Sequence, residues 1–380
     1  MYVKPTLFKV TSGLTMIAAL LLVSGCAGQP QLVEVTREVE VKVVEQVQVE
    51  VKVTSEVRVE VTAVPKPLRT VRFTHGGSLC NLALFLAFEH PEWWAEEGLS
   101  PESVPSPSIN EQIAALNLGL VDFAGAPYTS QIASIAQSEG SIKICTGIGV
   151  GGLGLLAHKD TSTPETMKGT KWGLSPSDTL EVLGYQWLKN NKLSYDDIEV
   201  IYEVAGTDVT AAWIANQLDV VNCVQPFCNE MAEQYDGVLL TDGRDIFGGD
   251  YSDCVLATSA TLLSKDPEVV QSVIKILMRA QQMIESDLEG AIDTTMNRWF
   301  KVTNRDIPLQ ASKSVHPMVD QRSQQDFIMN GVNFMVELGY VPSDLAGQVN
   351  SPEKVFDWSA LEAVIASNPE LYASLDRKSP

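Results

Sequence analysis

The sequence predicts an α/β protein of two similar lobes, and three observations carry that reading. Strands alternate with helices from Thr70 onward. The same strand-loop-helix order recurs from Lys171, and each half holds an Asp-led strand that ends on a proline, Asp122 to Pro127 and Asp219 to Pro226.

The chain opens with Lys4 and Lys9 ahead of an apolar run from Leu14 to Val23, the layout of a secretory signal and too short to span a bilayer comfortably. The run ends in Leu22-Val23-Ser24-Gly25-Cys26, which resembles a bacterial lipobox. Residues 1–25 are thus expected to be a removed signal peptide, with Cys26 acylated and the chain anchored on the extracytoplasmic face of the cell membrane. From Val33 to Val64, Val alternates with Glu, Lys, Arg, Gln and Thr. That period of two has no turn signals and no partner for its Val face, so residues 26–69 read as an extended, charged stalk. Valine at every second position does not make a coiled-coil seam, and Pro65-Lys66-Pro67 forms a stiff joint to the folded part.

Residues 70–157 read as the first part of lobe 1. Val71 to Thr74 is a strand, His75-Gly76-Gly77-Ser78 a loop and Leu79 to Glu89 an apolar helix. Ser108 with Glu111 is a capping box, Gly119 ends that second helix, and Val121 to Ala124 is the next strand. Residues 158–253 read as lobe 2. Lys171 to Leu174 is a strand, Ser175-Pro176-Ser177-Asp178 a loop and Thr179 to Asn190 a helix. A strand at Glu199 to Tyr202, a helix capped at Thr207 or Asp208 and a strand at Leu218 to Cys223 follow. Residues 254–380 return to lobe 1, with long amphipathic helices at Glu268 to Asp287 and Asp320 to Leu338. Leu153 to Ala157 and Cys254 to Thr258 are the expected crossings between lobes. In mainly parallel sheets ligands bind beyond the carboxyl ends of the strands, so Thr74 to Ser78, Ala126 to Thr129, Ser175 to Thr179 and Gln225 to Phe227 should converge on one cleft.

A formal net charge of −21 argues against nucleic acid and anionic lipid surfaces as partners, and 45% hydrophobic residues suffice for real cores. Beyond Cys26 the cysteines are Cys80, Cys145, Cys223, Cys228 and Cys254. At most two disulfides form and one thiol stays free, with the connectivity open. A soft-metal site from Cys80, Cys223, Cys228 and Cys254 with His75 is the weaker alternative, because the spacing lacks a tight Cys pair. Of the histidines only His75 falls in a cleft loop. Gly147-Ile148-Gly149-Val150-Gly151-Gly152 matches a dinucleotide fingerprint, but an extended run follows it in place of the required helix. Ser78 has neither nucleophile-elbow glycines on both sides nor Asp and His partners, so it reads as a hydrogen-bond donor or helix cap. Trp93, Trp94, Trp172, Trp213 and Tyr128 are candidates to stack on an aromatic ligand. No cofactor is expected.

The strand-loop-helix from Val71, the run Gln112 to Ala124, the piece Met167 to Gly173, the run Ile214 to Val220 and the segment Cys254 to Val270 together resemble the nitrate/sulfonate/taurine and thiamine-pyrimidine-precursor binding lipoproteins of ABC transporters. The resemblance spans roughly residues 70 to 340. It implies a type II periplasmic-binding-protein fold, a Venus flytrap of two α/β lobes joined by hinge crossings. It also implies a monomer that captures a small solute and passes it to a permease and its ATPase, and a binder rather than an enzyme. A fungal pyrimidine synthase shares the fold, but the contiguous Cys-rich signature of that enzyme is missing. Matching the family's pocket loops onto this chain puts His75, Gly77, Ser78, Pro127, Tyr128, Ser175, Ser177, Asp178 and Pro226 at the cleft. Family members that bind nitrate or sulfonate use donors and basic side chains at helix N-termini, whereas these loops carry no Lys or Arg and one Asp. That favours an amino-bearing heterocycle, such as a thiamine-pyrimidine precursor or a flavin, over nitrate, taurine or an alkyl sulfonate.

Overall fold

Two mixed sheets organise the chain in a computed structural model that describes residues 67–379 except 105, 107 and 203–206. The signal segment, Cys26 and most of the Val-rich stretch lie outside the described residues. The strands in chain order are β1 (Arg69–His75), β2 (Leu99–Ser103), β3 (Phe123–Pro127), β4 (Ile142–Gly151), β5 (Leu153–Ala157), β6 (Lys171–Gly173), β7 (Glu199–Ile201), β8 (Val220–Val224), β9 (Val238–Thr241), β10 (Ser252–Ser259) and β11 (Val315–Pro317). The first sheet runs β11-β4-β10-β3-β1-β2 and the second β7-β6-β8-β5-β9.

Each sheet is parallel on one side only, at β2-β1-β3 and at β7-β6-β8, where strand-helix units feed adjacent strands. The sequence expectation of mainly parallel sheets thus holds for only two of the five pairings in the first sheet and two of the four in the second. Strands β4, β10 and β11 in one sheet and β5 and β9 in the other pair antiparallel.

The first passage falls at Gly151-Gly152 and not after Ala157. Leu153–Ala157 is buried at every position and lies between β8 and β9 as a central strand of the second sheet. An apolar run buried on both faces has no period, which is why it reads from sequence as a linker. Gly152 has φ +93°, and a Cβ there would stand 2.7 Å from Val315 Cγ2, so the turn that redirects the chain requires glycine.

The internal analogy of the two halves has a shared physical device. Asp122 accepts a hydrogen bond at 2.7 Å from the Arg72 amide in the middle of β1, and Asp219 accepts one at 2.8 Å from the Lys171 amide at the head of β6. In both lobes the carboxylate clamps the first strand beside the third, and a proline then turns that third strand toward the cleft. Trp94, Trp172 and Trp213 are fully buried in the cores, and Trp93 stacks on His90 with ring centroids 4.0 Å apart, so none of the four tryptophans faces the cleft loops. The long helix Pro267–Ser286 packs its apolar face under the first sheet together with Leu84, Phe85 and Leu361. The helix Gln325–Glu337 packs on the other face of that sheet with Ile132 and Val255.

Candidate functional site

The loops at the carboxyl ends of β1, β3, β6 and β8 meet between the sheets, and two hydrogen bonds join them across the gap. The Leu79 amide donates to the Gln225 carbonyl at 2.8 Å, and the Thr129 hydroxyl donates to the Ser177 carbonyl at 3.0 Å. Ser78, Tyr128, Ser177, Asp178 and Pro226 are buried at this junction; Pro127 and Ser175 are half-buried, and Gly77 is exposed. The Gln225-Pro226 peptide bond is cis.

His75 turns elsewhere. Its ring lies among Phe85, Phe88 and Trp299, with Nε2 at 2.8 Å from Ser103 Oγ and Nδ1 at 3.2 Å from the Gly76 carbonyl. Burial lowers its pKa, and the Gly76 carbonyl opposes that, so it is a neutral wall residue near neutral pH.

Asp178 is the N-cap of the helix Thr179–Asn190, accepting from the Leu180 amide at 3.1 Å. Burial pushes its pKa up to about 7 and the nearby charge of Glu181 adds to this, while the Leu180 and Thr179 amides pull it down. Ser177, ahead of it, adopts φ +61°, a left-handed conformation that swings Asp178 onto the helix end.

Sequence reasoning missed a second carboxylate. Asp253, on β10, is 2% exposed and its pKa is raised well above the ordinary value, chiefly by burial and then by the charge of Asp178; a hydrogen bond from the Thr179 side chain offsets part of this. Its Oδ1 has no hydrogen-bond partner among the described residues. Tyr128 also lies in its field: burial raises the Tyr128 pKa and the Asp253 charge adds to it. Tyr128 packs against Phe327, with ring centroids 5.5 Å apart, and is not open to a ligand in this conformation. The only signal for Asp253 in the sequence is a lone acid at the head of an otherwise apolar strand, Ser252-Asp253-Cys254-Val255.

All four cleft-side cysteines are paired. Cys80 joins Cys254, and Cys223 joins Cys228, leaving Cys145 as a buried free thiol. The four-cysteine metal site with His75 is therefore not formed: the thiols are consumed in two separate disulfides, and His75 points into its aromatic cluster.

Two α/β sheets with facing loops, buried carboxyls and cross-gap hydrogen bonds make up the two-lobed periplasmic-binding-protein fold. The chain belongs to the NMT1/THI5-like family, whose profile matches residues 81–289. Among solved structures it is similar to the ligand-binding component of an ABC-type import system from Staphylococcus aureus with zinc bound (16% identity, TM-score 0.67, 78% of this chain and 99% of that one). It is also similar to the periplasmic nitrate-binding protein NrtA from Synechocystis PCC 6803 (15% identity, TM-score 0.65, 82% and 92%). The periplasmic aliphatic sulphonate binding protein SsuA from Escherichia coli is a third neighbour (16% identity, TM-score 0.63, 76% and 92%). No curated protein sequence matches the chain. At such identities the likeness speaks to the fold.

Proposed function

We propose that the chain is the solute-capturing lipoprotein of an ABC importer, and that its cleft takes a small amine-bearing solute, an amino- or imino-heterocycle of the thiamine-pyrimidine-precursor kind. The observation that carries this reading is the pair of buried carboxyls, Asp178 and Asp253, with no Lys or Arg among the groups that shift either. Asp178 stands at the start of a second-lobe helix, whereas Asp253 is on β10, which belongs to the first sheet and so moves Ser252 and Asp253 out of the lobe the sequence assigned them. A buried carboxylate without a cation is unfavourable, and a ligand that brings donors or positive charge relieves it. Import as the role is supported by the Staphylococcus aureus neighbour, itself an ABC import component. Contacts made by both lobes exist only when the lobes are closed, so a solute meeting both carboxyls shifts the equilibrium toward closure.

A second reading is an anion such as nitrate or a sulfonate, the ligand class named for two of the neighbours. The observation in its favour is that the helix starting at Tyr128 has no side-chain cap, so its first amides can meet an anion, whereas the helix starting at Phe227 has its Asn229 amide held by the Gln225 side chain at 3.2 Å. Each helix end carries roughly half a charge, which does not outweigh a full carboxylate charge at the same site.

The pH dependence separates the readings. A heterocycle that donates N–H bonds meets the carboxylate form as the stronger acceptor, so its affinity rises with pH through about 7, where Asp178 titrates. An anion binds the protonated form and follows the opposite slope. A thermal-shift screen at pH 6 and pH 8 with aminopyrimidines, flavins, nitrate, taurine and alkyl sulfonates is expected to show stabilisation by the amino-heterocycles, larger at pH 8. Asp178→Asn should weaken that binding by about 1–3 kcal/mol in calorimetry. Stabilisation by sulfonates or nitrate alone, larger at pH 6, would establish the anion reading instead.

Anchoring at Cys26 is part of the same proposal, with residues 26–69 as the spacer. Among the described residues no helix is long and apolar enough to cross a membrane. The Cys26→Ser chain is expected to leave the membrane fraction on cell fractionation, and its full retention there would contradict lipidation.

A further inference from the structure

Cys80, Asp253 and Cys254 offer two sulfur atoms and a carboxylate oxygen that lie within 4.8 Å of one another, and all three residues are buried. Among the described residues no other three such side chains come close enough to share an ion. Cys254 Sγ lies 3.4 Å from Asp253 Oδ2, while Asp253 Oδ1 is unpartnered. Two donors face the other sulfur: the Ser78 hydroxyl at 3.0 Å and the Asn81 side-chain amide at 3.7 Å from Cys80 Sγ.

We propose that reduction of the Cys80–Cys254 disulfide converts this cluster into a site for one soft divalent cation, of the Zn²⁺ or Cd²⁺ type, bound by the two thiolates and the Asp253 carboxylate. A dithiol supplies two electrons and two protons to the disulfide and is itself oxidised to a disulfide, leaving thiols on Cys80 and Cys254. The cation then displaces both thiol protons to solvent and forms two metal–sulfur bonds.

Electrostatics drives the second step. Without a cation, ionising either thiol beside buried Asp253 puts like charges together in a low-dielectric site, and no Lys or Arg acts on Asp253 to relieve this. A divalent cation offsets all three anionic ligands at once. Metal–sulfur bonds of about 2.3 Å and metal–oxygen bonds of about 2.1 Å place the ligand atoms roughly 4 Å apart, so the two sulfurs, once no longer bonded to each other, must part by side-chain rotation, while the Asp253 oxygen already lies within 4.8 Å of both. Ser78 and Asn81 then serve as the outer hydrogen bonds that hold a ligating sulfur in place. Three protein ligands leave a fourth position open.

The site does not depend on the proposed amine ligand. If that reading also holds, Asp253 serves both states, and the metal-loaded chain loses the amine.

The test uses the full chain in detergent carrying Cys223→Ser and Cys228→Ser, so that the other pair contributes no thiols. The protein is reduced with a dithiol, freed of it anaerobically and titrated with Cd²⁺, reading the sulfur-to-cadmium absorption band. One Cd²⁺ per reduced chain and none per oxidised chain is the expected result, with Asp253→Asn weakening binding about tenfold or more. Mass spectrometry of the same samples should show Cd²⁺ shielding Cys80 and Cys254 from alkylation, an assignment that needs no further cysteine variant. Absence of the band after reduction, or alkylation of both residues at rates that Cd²⁺ does not change, would overturn the proposal.

Discussion

Asp253→Asn is expected to raise the thermal stability of the ligand-free protein at pH 8 while removing its response to amine-bearing solutes. The substitution keeps the shape of the side chain and removes a charge that is buried, faces the charge of Asp178 and has one oxygen without a partner. The Asp253 pKa is raised in the folded state, so the folded chain holds the proton more tightly than the unfolded chain. Between the unfolded value, near pH 4, and the folded one, the native state therefore binds more protons, and stability falls as pH rises. Wild type should lose stability across that window and Asp253→Asn should lose less. At pH 8 the gain is about 1–3 kcal/mol, or about 2–6 °C in the melting temperature of a unit this size. Melting curves of both proteins from pH 5 to pH 8 check it. A variant that melts lower than wild type at pH 8 would mean that Asp253 is held by favourable contacts and is not a carboxylate kept for a ligand.

The gain carries a functional meaning. A residue whose removal stabilises the empty protein is retained for another reason, and binding sites are where such strain is commonly tolerated. Asp178 differs: its charge is partly satisfied by the amides of its own helix, an attraction that a neutral Asn cap loses, so Asp178→Asn should gain less.

What could be read from the sequence follows from the range of each signal. The helix Thr179–Asn190 has the same bounds in the structure as in the sequence, because its proline, serine and aspartate start signals are local. The clamps at Asp122 and Asp219 were visible as a repeated pattern, since both halves solve the same problem with the same residue. The placement of Leu153–Ala157 was not, because a strand covered on both faces has no alternation to display. Asp253 escaped for a different reason. Its environment depends on Asp178 and Thr179, far away in sequence and in the other lobe, and a single acid in an apolar strand gives no sign of whether a cation awaits it. The tryptophans misled because a large ring serves a core as readily as a ligand, and three of them are wholly enclosed in cores.

Removal of the two disulfides should have very unequal effects. Cys80 and Cys254 are 174 residues apart in sequence, whereas Cys223 and Cys228 are separated by 5. A cross-link stabilises chiefly by restricting the unfolded chain, and the restriction grows with the logarithm of the closed loop. The long loop is therefore worth about 5 kcal/mol and the short one about 2 kcal/mol. The folded state adds to the difference, since Cys80 follows β1 and Cys254 lies in β10, so their bond ties the first cleft loop to the strand that carries Asp253. The short loop instead pins the turn around Gln225 and Pro226, whose carbonyl contact to Leu79 spans the gap. Replacing Cys80 and Cys254 together with alanine should lower the denaturant midpoint far more than the same change at Cys223 and Cys228. The second variant should show its main loss in ligand affinity. Equal midpoints for the two variants would mean that the unfolded chain is already compact around residues 80 and 254, leaving the long cross-link little entropy to remove.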